Sequence, residues 1–170
     1  MSLQEKIHAN TLYLLKSFHT LSQEEVELKS SKDSWSILEI LEHIFLINKA
    51  VLKVLATPPP TEKTENTLNE LVGEQKINKL LIINRSFKVT APDFSNPKSN
   101  FTTTTDASEK INSIIDKIVN HIDINKIEEE THTIKHPMLG EMTKVDWIHF
   151  MIAHTNRHIL QIGEVKEQKY

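Results

Sequence analysis

Between Ser36 and Pro60 the chain has little choice but to form one isolated helix. Ser36-Ile37-Leu38-Glu39 is a Ser-x-x-Glu capping box, in which a hydroxyl and a carboxylate satisfy the first free backbone N–H groups of a helix. Trp35 stands just outside it, where a hydrophobic staple would sit. Ile40, Ile44, Ile47, Val51 and Val54 then recur at three- and four-residue spacing, which draws one apolar stripe down a helix. Pro58-Pro59-Pro60 stops it, because none of these residues donates a backbone hydrogen bond and each restricts its predecessor. The pattern predicts a helix over about 36–56.

Similar signals divide the rest of the chain. Ser2 with Glu5 starts a first helix over 3–20, and Ser22 with Glu25 starts a short helical turn. A further helix is expected over 66–84, around Leu68, Leu71, Ile77, Leu80 and Leu81. Residues 88–105, with Pro92, Pro97 and four consecutive threonines, read as a crossover loop. A helical stripe resumes over 106–121 through Ile111, Ile114, Ile115, Ile118 and Val119. His136 to Gly140 reads as a turn, after which Thr143 and Asp146 cap a last helix over 144–166. With only 3 glycines in 170 residues, the composition favours helices over strands and turns. The expected fold is all-α: a four-helix bundle in a single domain, 1–170, with a long connection between the second and third long helices.

Composition excludes several functions. The absence of cysteine removes disulfides, thiolate ligands and a nucleophilic thiol of the protein's own. A net charge of −3 and only two arginines, Arg85 and Arg157, argue against a nucleic-acid partner. The amino terminus carries polar residues where a signal peptide needs an apolar core, and Glu39, Glu42 and Lys49 interrupt the most apolar stretch. A soluble, cytoplasmic protein with no membrane association is the expectation.

The histidines carry the chemistry. His154 and His158 lie four apart on the last helix and share a face, at one edge of the stripe through Ile148, Met151, Ile152, Ile159 and Ile162, whereas His149 falls on the far side. On the second long helix His43 borders the stripe in the same way. A His pair one turn apart needs a third donor to make a site, and three imidazoles leave a position for water or substrate. The competing reading is that these are edge-of-core histidines held by ordinary hydrogen bonds.

Two longer motifs bear on that choice. Trp35-Ser36-Ile37, Glu39 and His43-Ile44 form one block; His136-Pro137, Leu139-Gly140, Met142-Thr143, Asp146-Trp147, then His154, Arg157-His158 and Gln161-Ile162 form the other. Together they resemble the second- and fourth-helix signatures of the DinB/YfiT-like metalloenzyme family. The resemblance implies a bundle with a long connection between helices two and three, often dimeric, binding nickel or zinc through His43, His154 and His158. It also implies a small-molecule substrate. Members include thiol transferases and isomerases that use bacillithiol, mycothiol or glutathione.

A divalent ion held by neutral imidazoles keeps its full charge and acidifies a water or thiol beside it. Thiol transfer would need an exogenous low-molecular-weight thiol, and hydrolysis fits the same ligands. Thr155 stands where a His-Glu-x-x-His protease keeps its glutamate, which argues against that mechanism. Glu39, Asn156, Arg157 and Gln161 are candidates for supporting roles, although Glu39 also reads as a helix cap, Arg157 as a salt-bridge or anion-binding residue and Gln161 as a buried cap. The alternative to an enzyme is a dimeric binding or stress-response module with a structural or vestigial metal site.

Overall fold

Each of the three Ser-x-x-Glu sequences starts a helix. Ser2, Ser22 and Ser36 accept from the backbone N–H of Glu5, Glu25 and Glu39, and each glutamate returns a carboxylate to the serine N–H. They open α1 (Leu3–Phe18), α2 (Gln23–Glu27) and α3 (Ile37–Leu55). The structure, a computed structural model, describes residues 1–59, 72–83 and 92–167. Beyond the proline run come α4 (Gly73–Asn78), a π-helical turn (Lys79–Ile83), a 3-10 turn (Asp93–Ser95) and α5 (Thr104–Asn125). A 3-10 turn (Ile127–Glu129), strands β1 (Thr133–His136) and β2 (Gly140–Thr143), and α6 (Lys144–Glu167) follow.

The long helices α1, α3, α5 and α6 form the bundle. α1 and α3 each pack against both α5 and α6, so α1 lies diagonally opposite α3 and α5 diagonally opposite α6, while α3 and α5, joined by the long connection, are neighbours. Leu14 and Phe18 of α1, Ile40 and Ile44 of α3, Ile111 and Ile118 of α5, and Ile148 and Ile162 of α6 are buried between them. Three and four residues separate successive core positions, so the apolar stripes of the sequence are the inward faces.

The expected helical bundle is present, with one small addition, and two helix bounds need correction. β1 and β2 make an antiparallel hairpin pairing Ile134 with Met142 and His136 with Gly140. Gly140 closes it at φ +91°, a conformation in which a side chain would be strained. Met142 is fully buried, and the carbonyl of Ile134 accepts the indole N–H of Trp147 at 3.2 Å, which fastens the hairpin to α6. The helix expected over 66–84 begins only at Gly73 among the described residues, and its last turn is π-helical; positions 66–71 and 84 lie outside them. α5 also starts two residues earlier and ends four later than the expected 106–121, with Ile122 continuing its buried stripe and Lys126 ending it at φ +47°. The expected loop over 88–105 is irregular from 92 to 103 apart from the 3-10 turn, and its positions 88–91 are outside the described residues.

Candidate metal centre

His43 projects from the second turn of α3, and His154 and His158 from consecutive turns of α6, the helix beside it. The structure brings all three together. His154 Nε2 lies 3.2 Å from His43 Nε2 and 3.2 Å from His158 Nε2. The ligand nitrogens all fall within 4.8 Å of one another, and among the described residues no other group of His, Asp or Glu is so arranged. Two nitrogens bound at about 2.05 Å to a tetrahedral ion stand about 3.3 Å apart. The two short edges therefore already have the spacing of ligands to one ion.

The outer nitrogens decide what the inner ones offer. His43 Nδ1 is 2.7 Å from the carbonyl of Ser95, which can only accept, so Nδ1 carries the proton and a neutral ring turns an unprotonated Nε2 inward. His158 Nδ1 is 2.7 Å from Gln161 Oε1 and donates to it in the same manner. This is the arrangement by which a second layer of hydrogen bonds orients ligand imidazoles. His154 differs, because its Nδ1 is buried with no hydrogen-bond partner among the described residues. In the absence of a cation, a proton on His154 Nε2 could be shared with the two lone pairs facing it, but it could not satisfy both. A cation at the centre would meet all three. The donor set fits a borderline divalent ion.

Burial disfavours the charged form of two of these rings, His43 and His154. It lowers the pKa of His43 below the usual 6.5, against an opposing pull from the Ser95 hydrogen bond. His154 is lowered well below 6.5, first by burial and then by the charges of His158, His43, Arg157 and His136. The unfolded chain takes up these protons near pH 6.5, whereas the folded protein resists until lower pH. The stability from His43 and His154 is therefore fully present above about pH 6.5 and is lost as pH falls toward their folded values, by up to about 1.4 kcal/mol per pH unit for each ring. Urea unfolding of the metal-free protein is expected to show a lower midpoint at pH 5.5 than at pH 7.5. An unchanged or higher midpoint at pH 5.5 would contradict this account.

The other candidates take separate positions. Glu39 spends one carboxylate oxygen on the Ser36 N–H, 2.8 Å away, and the other on Lys29 Nζ, also 2.8 Å away. Asn156 accepts from Asn10 Nδ2 of α1, and Arg157 donates to the Leu81 carbonyl at 3.0 Å, docking the π-helical turn onto α6. Of the supporting candidates, Gln161 is the one in hydrogen-bond contact with a site histidine. Aromatic rings pack around the cluster: Trp35 at 4.8 Å from His43 and Phe150 at 5.6 Å from His154, measured between ring centroids. His136 stacks on Phe150 at 4.8 Å and turns Nδ1 back to accept from the N–H groups of Met138 and Leu139. His149 lies elsewhere, 3.6 Å from Glu74.

Sequence reasoning missed Ser95 and Glu42. The part Ser95 plays is a backbone carbonyl, which has no signature in a sequence. Glu42 reads as solvated, because at about 100° per residue it projects onto the polar face with Lys49 and Lys53. It is nevertheless only 2% exposed.

The sequence profile described as the DinB superfamily matches residues 6–162, a span that holds all three histidines. The uncharacterized protein YuaE of Bacillus subtilis (strain 168) is 26% identical over 148 residues, which covers 87% of this chain and 87% of YuaE. No solved structure matches the chain.

Proposed function

The chain belongs to the DinB superfamily, and from that premise we propose that it is a divalent-metal-dependent enzyme acting on a small molecule, with zinc or nickel held by His43, His154 and His158. The observation that carries the reading is the convergence of three Nε2 atoms, two of them unprotonated because Ser95 and Gln161 take the opposite ring proton. A purely structural role for these histidines does not account for lone pairs turned toward one another in a buried space. When bound, the ion would act as a Lewis acid toward a thiol or water at the position that three protein donors leave free.

The residues of this chain bear on which reaction runs there. With no cysteine to attack, S-transfer draws its sulfur from an exogenous low-molecular-weight thiol. Thr155 beside His154 offers no carboxylate to act as a protease base, which leaves small-molecule thiol transfer or hydrolysis. Trp35 and Phe150, flanking His43 and His154, provide an apolar surround that strengthens electrostatic interactions at the site. Among the described residues no helix is long and apolar enough to cross a membrane.

Metal content tests the reading directly. Purified protein is expected to hold close to one equivalent of zinc or nickel per chain, and His158→Ala to lose most of it. Extensively purified, chelator-stripped protein that rebinds neither metal would end this proposal. Loaded protein assayed with a model electrophile plus a panel of small thiols, and separately with activated esters, then separates transfer from hydrolysis.

A further inference from the structure

Glu42 and His43 are consecutive on α3, and both reach the same loop. His43 Nδ1 donates to the carbonyl of Ser95, while Glu42 receives three bonds from residues just beyond it. Lys98 N–H donates to Oε1 at 3.0 Å, Asn100 N–H to Oε2 at 3.0 Å, and Asn100 Nδ2 to Oε1 at 2.6 Å. Between the two backbone donors lies Ser99 at φ +59°, the left-handed region that residues other than glycine seldom adopt. Such a residue lets the flanking N–H groups face one way and makes a backbone concavity for an anion. The Glu42 carboxylate fills that concavity, and charge-assisted bonds of this kind are stronger than neutral ones. On the near side Ser95 is fully buried and bonds to Pro92 through both its N–H and its hydroxyl.

We propose that Glu42 is a positioning residue for the metal centre: by pinning residues 98 and 100 to α3 it fixes the Ser95 carbonyl that aims His43 Nε2 inward. The inference rests on the metal-binding reading above, but the clamp acts on His43 whether or not metal is present. Lys98, Ser99 and Asn100 are all exposed, so between buried Ser95 and buried Phe101 the Glu42 carboxylate is what ties this stretch to α3. Loss of the clamp frees the Ser95 carbonyl to move and lets His43 exchange tautomers, in one of which the proton sits on the nitrogen needed by the metal.

The test compares Glu42→Gln and Asn100→Ala with Val51→Ala, a core truncation lower on the same helix. Two quantities are read: zinc affinity by chelator competition, and the His43 tautomer by nitrogen NMR of the metal-free protein. Glu42→Gln is expected to weaken zinc binding by about tenfold to a hundredfold, the usual effect of losing support for a ligand. Asn100 is exposed, so Asn100→Ala stays folded and moves affinity in the same direction by less. Val51→Ala lowers the urea midpoint but leaves zinc affinity within about twofold, as expected for a distant site. In metal-free Glu42→Gln, His43 no longer shows a single Nδ1-protonated form. Wild-type zinc affinity in Glu42→Gln, an equal loss in Val51→Ala, or an unchanged His43 tautomer would each overturn the proposal. If the wild-type protein binds no zinc or nickel while the tautomer shifts as described, the clamp on His43 stands and the metal reading falls.

Discussion

Replacing His154 with leucine is expected to remove almost all the stabilisation that zinc confers. With zinc at about a thousand times the wild-type dissociation constant, the wild-type protein should gain about 4 kcal/mol and the variant close to none. His154 has this leverage because its Nε2 lies 3.2 Å from both other ligands, so its loss leaves two donors with no bridge between them. Metal-free protein should respond very differently. There burial disfavours the charged imidazole and leaves Nδ1 buried with no partner among the described residues, an arrangement unfavourable to folding. A leucine of similar volume removes that polar atom, and the metal-free variant should match wild type within about 1 kcal/mol. Urea unfolding with and without zinc reads both numbers. A zinc-dependent shift retained in His154→Leu would place the ion somewhere else.

The second large effect is expected at Trp147, where truncation to alanine should destabilise the protein by about 3–5 kcal/mol. The indole is 8% exposed, lies tilted against His136 at 4.9 Å and edge-to-face with Phe150 at 5.8 Å, and donates to the Ile134 carbonyl. It joins the hairpin to α6 and supports the ring of Phe150, which in turn lies against His154. Trp147→Phe keeps most of the packing and forfeits one hydrogen bond, so it should lose only about 1 kcal/mol beyond the size difference. Equilibrium unfolding of the two variants separates packing from hydrogen bonding. An alanine variant as stable as the phenylalanine variant would show that the indole is not the fastening.

What could be read from the sequence follows from how local each cause is. The capping boxes at Ser2, Ser22 and Ser36 are complete within four residues, and the proline run after α3 acts on its own neighbours. The His154 and His158 pair is similarly local, since one helix sets its geometry. His43 was legible through its place at the edge of an apolar stripe and through the family resemblance. The hairpin was harder, because two strands of four residues are too short for their alternation to stand out, and β2 runs directly into the Thr143 cap of α6. Glu42 was illegible for a different reason: its helix projection is polar, and only the loop over 92–100 hides it. Burial imposed by an irregular segment depends on where that segment crosses, and no periodicity records the crossing.

The offset of 111 positions from His43 to His154 also sets when the centre can exist. At a synthesis rate of about 5–20 residues per second, His154 leaves the ribosome roughly 5–20 s after His43. Until α6 has docked beside α3, the chain offers an ion only isolated imidazoles or, once made, a two-donor pair. On the proposed metal reading, capture would be a late event in the life of a new chain, one that certifies a closed bundle instead of guiding its assembly. A cell that rations such an ion would then lose little of it to unfinished copies of this protein.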